Sequence, residues 1–282
     1  MELIENSVCF GGLQQRYKHV SNILNCEMKF SVYLPPGASA DTPVPYVLWL
    51  SGLTCSDQNF VHKAGAQRYA AELGVAVLAP DTSPRGEGVP DDPSQAWDFG
   101  LGAGFYVDAT QSPWHEHYRM YSYITKELPE SVERQLPLTN KKSIMGHSMG
   151  GHGALTIALK NPSAYCSVSA FSPICAPSQC AWGEKALGNY LGADRSVWCE
   201  YDACELVKKI DKEGGYKMPL WVDQGEDDGF LVEQLKPELL EQTCESHGHP
   251  LILNRREGYD HSYFYVASFI GEHLVYHSES LK

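Results

Sequence analysis

The sequence has 282 residues, of which 43% are hydrophobic and 20% are charged, a composition that is ordinary for a folded globular protein. Its formal net charge of −13 disfavours nucleic acid as a partner. No apolar run approaches the roughly 18 residues that a membrane-spanning helix needs, so no membrane partner is expected either.

Nine cysteines are scattered along the chain, and none of them forms a C-x-x-C pair. The odd count and the irregular spacing disfavour a disulfide framework and a structural zinc site. The first twelve residues contain an early glutamate and no apolar core, which argues against a signal peptide. Free thiols without a leader predict a reducing compartment, the cytoplasm.

The first predicted elements, at roughly 7–36, are extended. Short alternating stretches are split by Ser21 and Asn22 and end at Pro35 and Pro36. This pattern is typical of an antiparallel hairpin at the edge of a sheet.

Short apolar segments then recur and predict buried strands. They are YVLWL (46–50), GVAVLAP (74–80), SIMG (143–146), CSVSAFSP (166–173), PLWVDQG (219–225) and LILNRREG (251–258). Helical spacing between several of them predicts helices over 60–74, 121–135, 149–162 and 262–281. The alternation indicates a single α/β domain over 1–282, with a mostly parallel central sheet, an antiparallel N-terminal edge and helices on both faces.

The segment GHSMG, residues 146–150, matches the pattern of a nucleophile elbow. A serine on this sharp strand-to-helix turn is exposed beyond the sheet as a nucleophile, and the flanking glycines leave room for neighbouring backbone. A short predicted strand precedes the segment and a predicted helix follows it. Ser148 is therefore the candidate nucleophile of an α/β hydrolase.

The proton acceptor for Ser148 is sought among eleven histidines. His147 and His152 flank the serine, but the elbow should turn His147 away from the hydroxyl, and His152 is expected to pack within the helix. His261 follows a predicted strand in the loop EGYDHSY, where the last member of a Ser–Asp–His triad belongs. His273 and His277, four apart on the last helix, are expected on an exposed face.

The acid of the triad should lie between the serine and the histidine in chain order. The segment PLWVDQGEDDGFL offers Asp227 and Asp228 in a loop beyond a strand, and the spacing does not separate them. Asp223 lies inside the strand and should not reach the site. Either loop aspartate has an alternative use as a cap for the following helix.

Acyl transfer also needs backbone N–H groups aimed at the oxyanion. One donor should be Met149, the residue after the nucleophile, and the other should come from an early strand-to-helix loop. The segment WLSGLTC fits that loop, and Leu53 is the candidate within it.

Together these motifs resemble the S-formylglutathione hydrolase family, also called the esterase D family. The resemblance extends over essentially the whole chain and is carried by WLSGLTC, DTSPRG, WDFGLGAGFYVDAT, YRMYSY, GHSMGGHGAL, VSAFSPI and EGYDHSYFY. It implies an α/β-hydrolase serine thioesterase that converts S-formylglutathione to formate and glutathione in formaldehyde detoxification. The resemblance also implies side activity on small carboxylic esters. It implies that the reaction requires neither a cofactor nor a metal.

The resemblance also implies roles for individual residues. Ser148 and His261 match the family's nucleophile and base, and Leu53 and Met149 match its oxyanion donors. Its aspartate precedes an x-F-L segment, which selects Asp228. Cys55 matches a cysteine near the active site associated with sensitivity to thiol reagents, and Trp182 either lines the pocket or packs beneath it.

Some features of the sequence leave alternatives open. Gly229 replaces a bulkier polar residue common in the family, and residues 87–96 form a variable loop, so fine substrate preference is not fixed. A general short-chain carboxylesterase and an acyltransferase are the enzymatic alternatives, whereas a binding protein without activity would not need the complete triad. Arg85, Lys63 and Lys185 are candidate partners for the anionic thiol. For each of them, however, a solvated surface charge is the favoured interpretation. The oligomeric state stays open, a homodimer included.

Overall fold

The computed structural model describes all 282 residues. Nine strands form one sheet. The strands are β1 (Glu2–Cys9), β2 (Gly12–Ser21), β3 (Cys26–Leu34), β4 (Val44–Leu50), β5 (Ala76–Pro80), β6 (Leu138–His147), β7 (Val168–Phe171), β8 (Leu220–Gly225) and β9 (Leu251–Arg256). Their order across the sheet is β1-β2-β3-β5-β4-β6-β7-β8-β9. The pairs from β1 to β3, and the pair β3–β5, are antiparallel, whereas all the others are parallel.

The predicted N-terminal hairpin is present as β2 and β3, which pair from Leu13↔Leu34 to Ser21↔Cys26. It does not form the edge itself, because β1 pairs with β2 outside it. β1 is mostly exposed, and Val8 has 80% of its surface in solvent. The weak apolar pattern of an exposed strand explains why the sequence did not predict it.

Ten α-helices accompany the sheet. They are α1 (Asp57–Lys63), α2 (Ala66–Leu73), α3 (Met120–Ser122), α4 (Leu128–Gln135), α5 (Met149–Lys160), α6 (Ala181–Leu191), α7 (Arg195–Trp198), α8 (Ala203–Glu213), α9 (Pro237–Ser246) and α10 (Tyr263–Ser280). A π-helical turn over Tyr123–Glu127 joins α3 to α4. The helix predicted over 60–74 is two helices, because Gly65 adopts a left-handed conformation with φ of 65° between them. No helix has both the length and the apolar character to cross a membrane.

The parallel strands β4, β5, β7 and β8 are buried on both faces, which explains their continuous apolar sequences, whereas the edge strand β9 is partly exposed. On one face Leu48 and Ile144 belong to the larger core, which α5, α6 and α8 cover. On the other face Val47 and Trp49 belong to a second core, which α2 and α10 cover. The predicted α/β-hydrolase fold class, with helices on both faces of a mostly parallel sheet, is confirmed.

His273 and His277 are completely buried, so the prediction that they lie on an exposed face is wrong. The two ring nitrogens of His277 each lie 2.8 Å from a serine hydroxyl, those of Ser167 and Ser169, and Nδ1 of His273 lies 2.8 Å from the Ser169 hydroxyl. Hydroxyl partners on and beside β7 allow these polar rings to be buried. The i,i+4 spacing of the histidines gave no sign of those serines.

Candidate active site

Ser148 lies on a strained turn between β6 and α5. Its backbone has φ of 59° and ψ of −120°, a conformation that costs a residue with a side chain on the order of 1–3 kcal/mol. The amide of Ser148 donates a 2.9 Å hydrogen bond to the Phe171 carbonyl at the end of β7. The turn thus has the form expected of a nucleophile elbow.

The glycines around Ser148 are required by close approach of the backbone. A Cβ atom at Gly146 would lie 2.2 Å from the Gly150 carbonyl oxygen, and one at Gly150 would lie 2.0 Å from the Leu50 carbonyl oxygen. Both distances are far below van der Waals contact. The close packing of β6, α5 and the end of β4 therefore requires the two glycines of the motif.

Asp228 and His261 come from the loops that follow β8 and β9. Oδ2 of Asp228 lies 2.5 Å from Nδ1 of His261. The Asp228 side chain is fully buried, and its Oδ1 accepts a 2.9 Å hydrogen bond from the Phe230 amide. Asp227 is exposed, so the structure brings Asp228 and not its neighbour to the histidine. With Nδ1 donating to the carboxylate, Nε2 of His261 is left to accept a proton.

Ser148 and His261 line the same cleft, which has a volume of about 770 Å³. Leu53, Cys55 and Trp182 line it as well, so three of the residues expected near the site lie there. No hydrogen bond joins the Ser148 hydroxyl to His261 in this structure. In enzymes without substrate, such bonds are often long and tighten only when substrate binds.

Leu53 and Met149, the expected oxyanion donors, both lie next to Ser148. A Cβ atom at Gly52 would lie 3.0 Å from Cβ of Ser148, so the loop carrying Leu53 passes directly beside the serine. Met149 opens α5, where the first N–H groups of a helix have no partner within it. Neither amide is occupied by the hydrogen bonds of the loops and helix ends.

His147 and His152 are buried, and neither is hydrogen-bonded to the Ser148 hydroxyl. Burial lowers the pKa of His152 to about 4, and its Nε2 donates to the Phe105 carbonyl at 3.0 Å. Burial, and secondarily the charge of His261, lower the pKa of His147 well below its usual value. The His147 ring lies 4.5 Å from the His261 ring, and neither of its nitrogens has a hydrogen-bond partner. Both histidines are therefore neutral near pH 7.

Cys55 lies in the cleft, but its thiol is not activated. Burial is the main cause that raises the pKa of Cys55 above its ordinary value, so the protonated form dominates near pH 7. The Cys55 carbonyl accepts hydrogen bonds from the Thr82 hydroxyl and from Arg85, which hold the segment in place.

Of the three candidate cations, only Lys63 lines the cleft without a carboxylate partner. Arg85 is paired with Asp81 at 2.9 Å, and Lys185 is paired with Asp98 at 2.6 Å. No group of three or more His, Cys, Asp or Glu side chains is arranged to hold a metal ion.

Several cleft residues were not singled out from the sequence. They are aromatic: Trp97, Phe230, Tyr263 and Phe264. Three of these four belong to motifs that carry the family resemblance: Trp97 opens WDFGLGAGFYVDAT, and Tyr263 and Phe264 lie in EGYDHSYFY. The signal was therefore present, but only the fold shows that these distant aromatic residues meet around Ser148.

The sheet order and the elbow define the fold as that of the α/β hydrolases. The chain matches the family model described as "Putative esterase" over residues 21–276. It is also 47% identical to an S-formylglutathione hydrolase from Agrobacterium tumefaciens, over 100% of both chains and with a TM-score of 0.95. The chain therefore belongs to this esterase family, and its resemblance to S-formylglutathione hydrolases is confirmed.

More distant solved structures share the fold. The fluorophosphonate-binding serine hydrolase FphF from Staphylococcus aureus is 20% identical, over 95% of this chain and 98% of that one, with a TM-score of 0.75. A ferulic acid esterase from Anaeromyces mucronatus is 16% identical, over 99% of this chain and 93% of that one, with a TM-score of 0.69. At these identities the likeness concerns the fold alone.

Proposed function

We propose that the protein is a serine thioesterase that hydrolyses S-formylglutathione to formate and glutathione, with side activity on small carboxylic esters. The observation that carries the reaction is the hydrogen-bonded pair of Asp228 and His261 beside Ser148 in one cleft. The choice of substrate rests on the full-length relative from Agrobacterium tumefaciens. The proposal treats residues 1–282 as one domain, because one sheet contains strands from both ends of the chain.

In the first half of the reaction, the Ser148 hydroxyl attacks the formyl carbonyl carbon and passes its proton to Nε2 of His261. The new imidazolium is stabilised by Asp228. The carbonyl oxygen becomes an oxyanion, which the amides of Leu53 and Met149 bind. When this intermediate collapses, the carbon–sulfur bond breaks, and glutathione leaves either as a thiol that takes the proton from His261 or as a thiolate, in which case His261 releases that proton to solvent.

In the second half, water attacks the formyl ester on Ser148. His261 takes a proton from that water, the carbon–oxygen bond to Ser148 breaks, and the proton returns to the serine oxygen. The product leaves as formic acid, which ionises to formate and a proton in water, and the resting site is restored. Each step uses only side chains, backbone amides and water.

Glutathione carries net negative charge, and we assign Lys63 as its charged contact in the cleft. The assignment rests on the position of Lys63 on the cleft wall and on the carboxylate partners that neutralise Arg85 and Lys185. We also place the reaction in the cytoplasm, which nine free cysteines support.

The test is the Ser148→Ala variant of the full chain. We expect its kcat/KM on S-formylglutathione to fall by about 10³-fold or more, because no other group supplies the acyl acceptor. Labelling with a fluorophosphonate probe should occur on the wild type and be lost in the variant. A purified variant that hydrolyses S-formylglutathione at near the wild-type rate would refute the mechanism.

A further inference from the structure

Trp97 lines the cleft and is half exposed to solvent. Its side of the cleft is formed with Trp182, whose ring lies edge-on at 5.3 Å between ring centroids. Trp182 is buried, whereas Trp97 leaves 52% of its surface in solvent. A large apolar side chain half exposed on a cleft wall offers contact area to a ligand.

The loop that carries Trp97 is held in place by α6. Nζ of Lys185 lies 2.6 Å from Oδ1 of Asp98 and 3.3 Å from Oδ2 of Asp92. These two carboxylates flank Trp97 in the chain. Trp182 and Lys185 are three residues apart and therefore share one face of α6, so the same face holds both the indole and its loop.

A third attachment lies farther along α6. The Tyr190 hydroxyl accepts a 3.2 Å hydrogen bond from the Gly100 amide and donates a 2.9 Å hydrogen bond to the Ala103 carbonyl. Tyr190 is fully buried. The segment from Asp92 to Ala103 is thus fixed at both ends, and Lys185 secures the part nearest the cleft.

We infer that Trp97 is a specificity-determining residue that contacts the thiol portion of the thioester, and that Lys185 is the positioning residue that holds it. The inference rests on the proposed function. The formyl group contains one carbon, and that carbon must bond to Ser148, which lines the same cleft but is only 3% exposed. Trp97, which is far more exposed than Ser148, is therefore expected to meet the leaving thiol and not the acyl group.

The chemistry of this wall fits the uncharged part of the thiol. Lys185 is shared by two carboxylates, so the wall offers no free cation to a carboxylate of the substrate. The exposed indole instead favours the methylene and amide groups of a peptide-like thiol. This contact is lost when the thiol is short.

The experiment compares two formyl thioesters that share the acyl group, S-formylglutathione and the formyl thioester of 2-mercaptoethanol. For Trp97→Ala we expect kcat/KM on S-formylglutathione to fall about tenfold, mainly through a higher KM, and to change less than about twofold on the short thioester. For Lys185→Met, which keeps the alkyl chain, we expect a loss of about threefold on S-formylglutathione alone. Tyr216→Ala and Lys209→Met are matched controls, because Tyr216 is 65% exposed and does not line the cleft, and Lys209, on α8, forms an ion pair with Glu200.

Equal losses on both thioesters in Trp97→Ala would overturn the inference, because they would indicate a general effect on the site. Unchanged rates on both would overturn it as well. If Trp97→Ala does not fold, Lys185→Met decides by the same comparison. A wild type that cleaves the short thioester but not S-formylglutathione would reject the proposed function and the inference together, whereas an active wild type without the selective loss rejects the inference alone.

Discussion

Oδ2 of Asp228 lies 2.5 Å from Nδ1 of His261, whereas Asp227, the adjacent residue, is exposed and makes no such contact. A hydrogen bond in this position fixes the tautomer of the histidine and stabilises the imidazolium that forms when the serine attacks. Two neighbouring carboxylates of the same loop thus have different surroundings, and the difference can be measured.

The Asp228→Asn variant should lose kcat by about 10³- to 10⁴-fold, because an amide favours the wrong tautomer of His261. The measurement is kcat/KM on S-formylglutathione and on p-nitrophenyl acetate at pH 7.5. Asp227→Asn is the matched control and should stay within about twofold of the wild type. Comparable losses in the two variants would argue against the assigned acid.

The Gly150→Ala variant should destabilise the protein by about 2–4 kcal/mol, because its Cβ atom would lie 2.0 Å from the Leu50 carbonyl oxygen. Gly188→Ala is the control. Its Cβ atom would lie 3.6 Å from the Trp198 ring, an ordinary contact, and alanine should stabilise α6 by about 0.5–1 kcal/mol. Urea unfolding measures both, and equal stability of the two variants would contradict the packing account.

The buried histidines should make the fold sensitive to acid. His152 has a pKa of about 4 in the folded protein, below its usual value of 6.5. The unfolded chain therefore binds the proton first as the pH falls, and stability is full above pH 6.5 and is lost between pH 6.5 and 4. The contribution of this one group is about 1.4 kcal/mol per pH unit.

The His152→Gln variant removes that titration and should reduce the slope of the unfolding free energy between pH 6.5 and 4 by about 1.4 kcal/mol per unit. The pKa values of His147, His273 and His277 are also lowered by burial, so part of the slope should persist. His62→Gln, at an exposed position on α1, should keep the wild-type slope. A slope unaffected by His152→Gln would show that this histidine does not titrate on unfolding.

Lys63→Met should raise KM for S-formylglutathione about three- to tenfold and leave kcat nearly unchanged, because it removes the free cation of the cleft. The KM for p-nitrophenyl acetate, which is neutral, should not change. Added salt should raise the wild-type KM for S-formylglutathione and have less effect in the variant. Lys212→Met is the control on the surface of α8, and the same KM change there would remove the argument for a local contact.

The features that could best be predicted from the sequence are those whose local geometry allows only one type of residue. No residue with a side chain fits at positions 146 and 150, because neighbouring backbone occupies the space that a Cβ atom would need. The elbow could therefore be recognised from these two glycines. The position of His261 after a strand was also informative. The choice between Asp227 and Asp228 was not available from spacing and needed the family resemblance, because it depends on which way a loop turns.

Features that depend on distant partners were missed. The sequence pattern of α10 did not show that Ser167 and Ser169 face His273 and His277, so two buried histidines were predicted to be exposed. Likewise, Trp97 meets Trp182 across 85 positions of the chain (182 − 97). Neither the histidine–serine contacts nor the contact between the two tryptophans produces a periodic pattern in the sequence, because both arise from packing between elements that are distant in the chain.

The chain order of the site has a consequence for assembly. Ser148 follows β6 near the middle of the chain, but the histidine beside it follows β9, an edge strand next to the last helix. A chain that is synthesised or cut to a point between residues 148 and 261 contains Ser148 but lacks His261, the proposed base. Recovery of esterase activity during refolding should therefore report the docking of the C-terminal strand and helix. An incomplete chain should have no esterase activity, because the histidine follows the last strand.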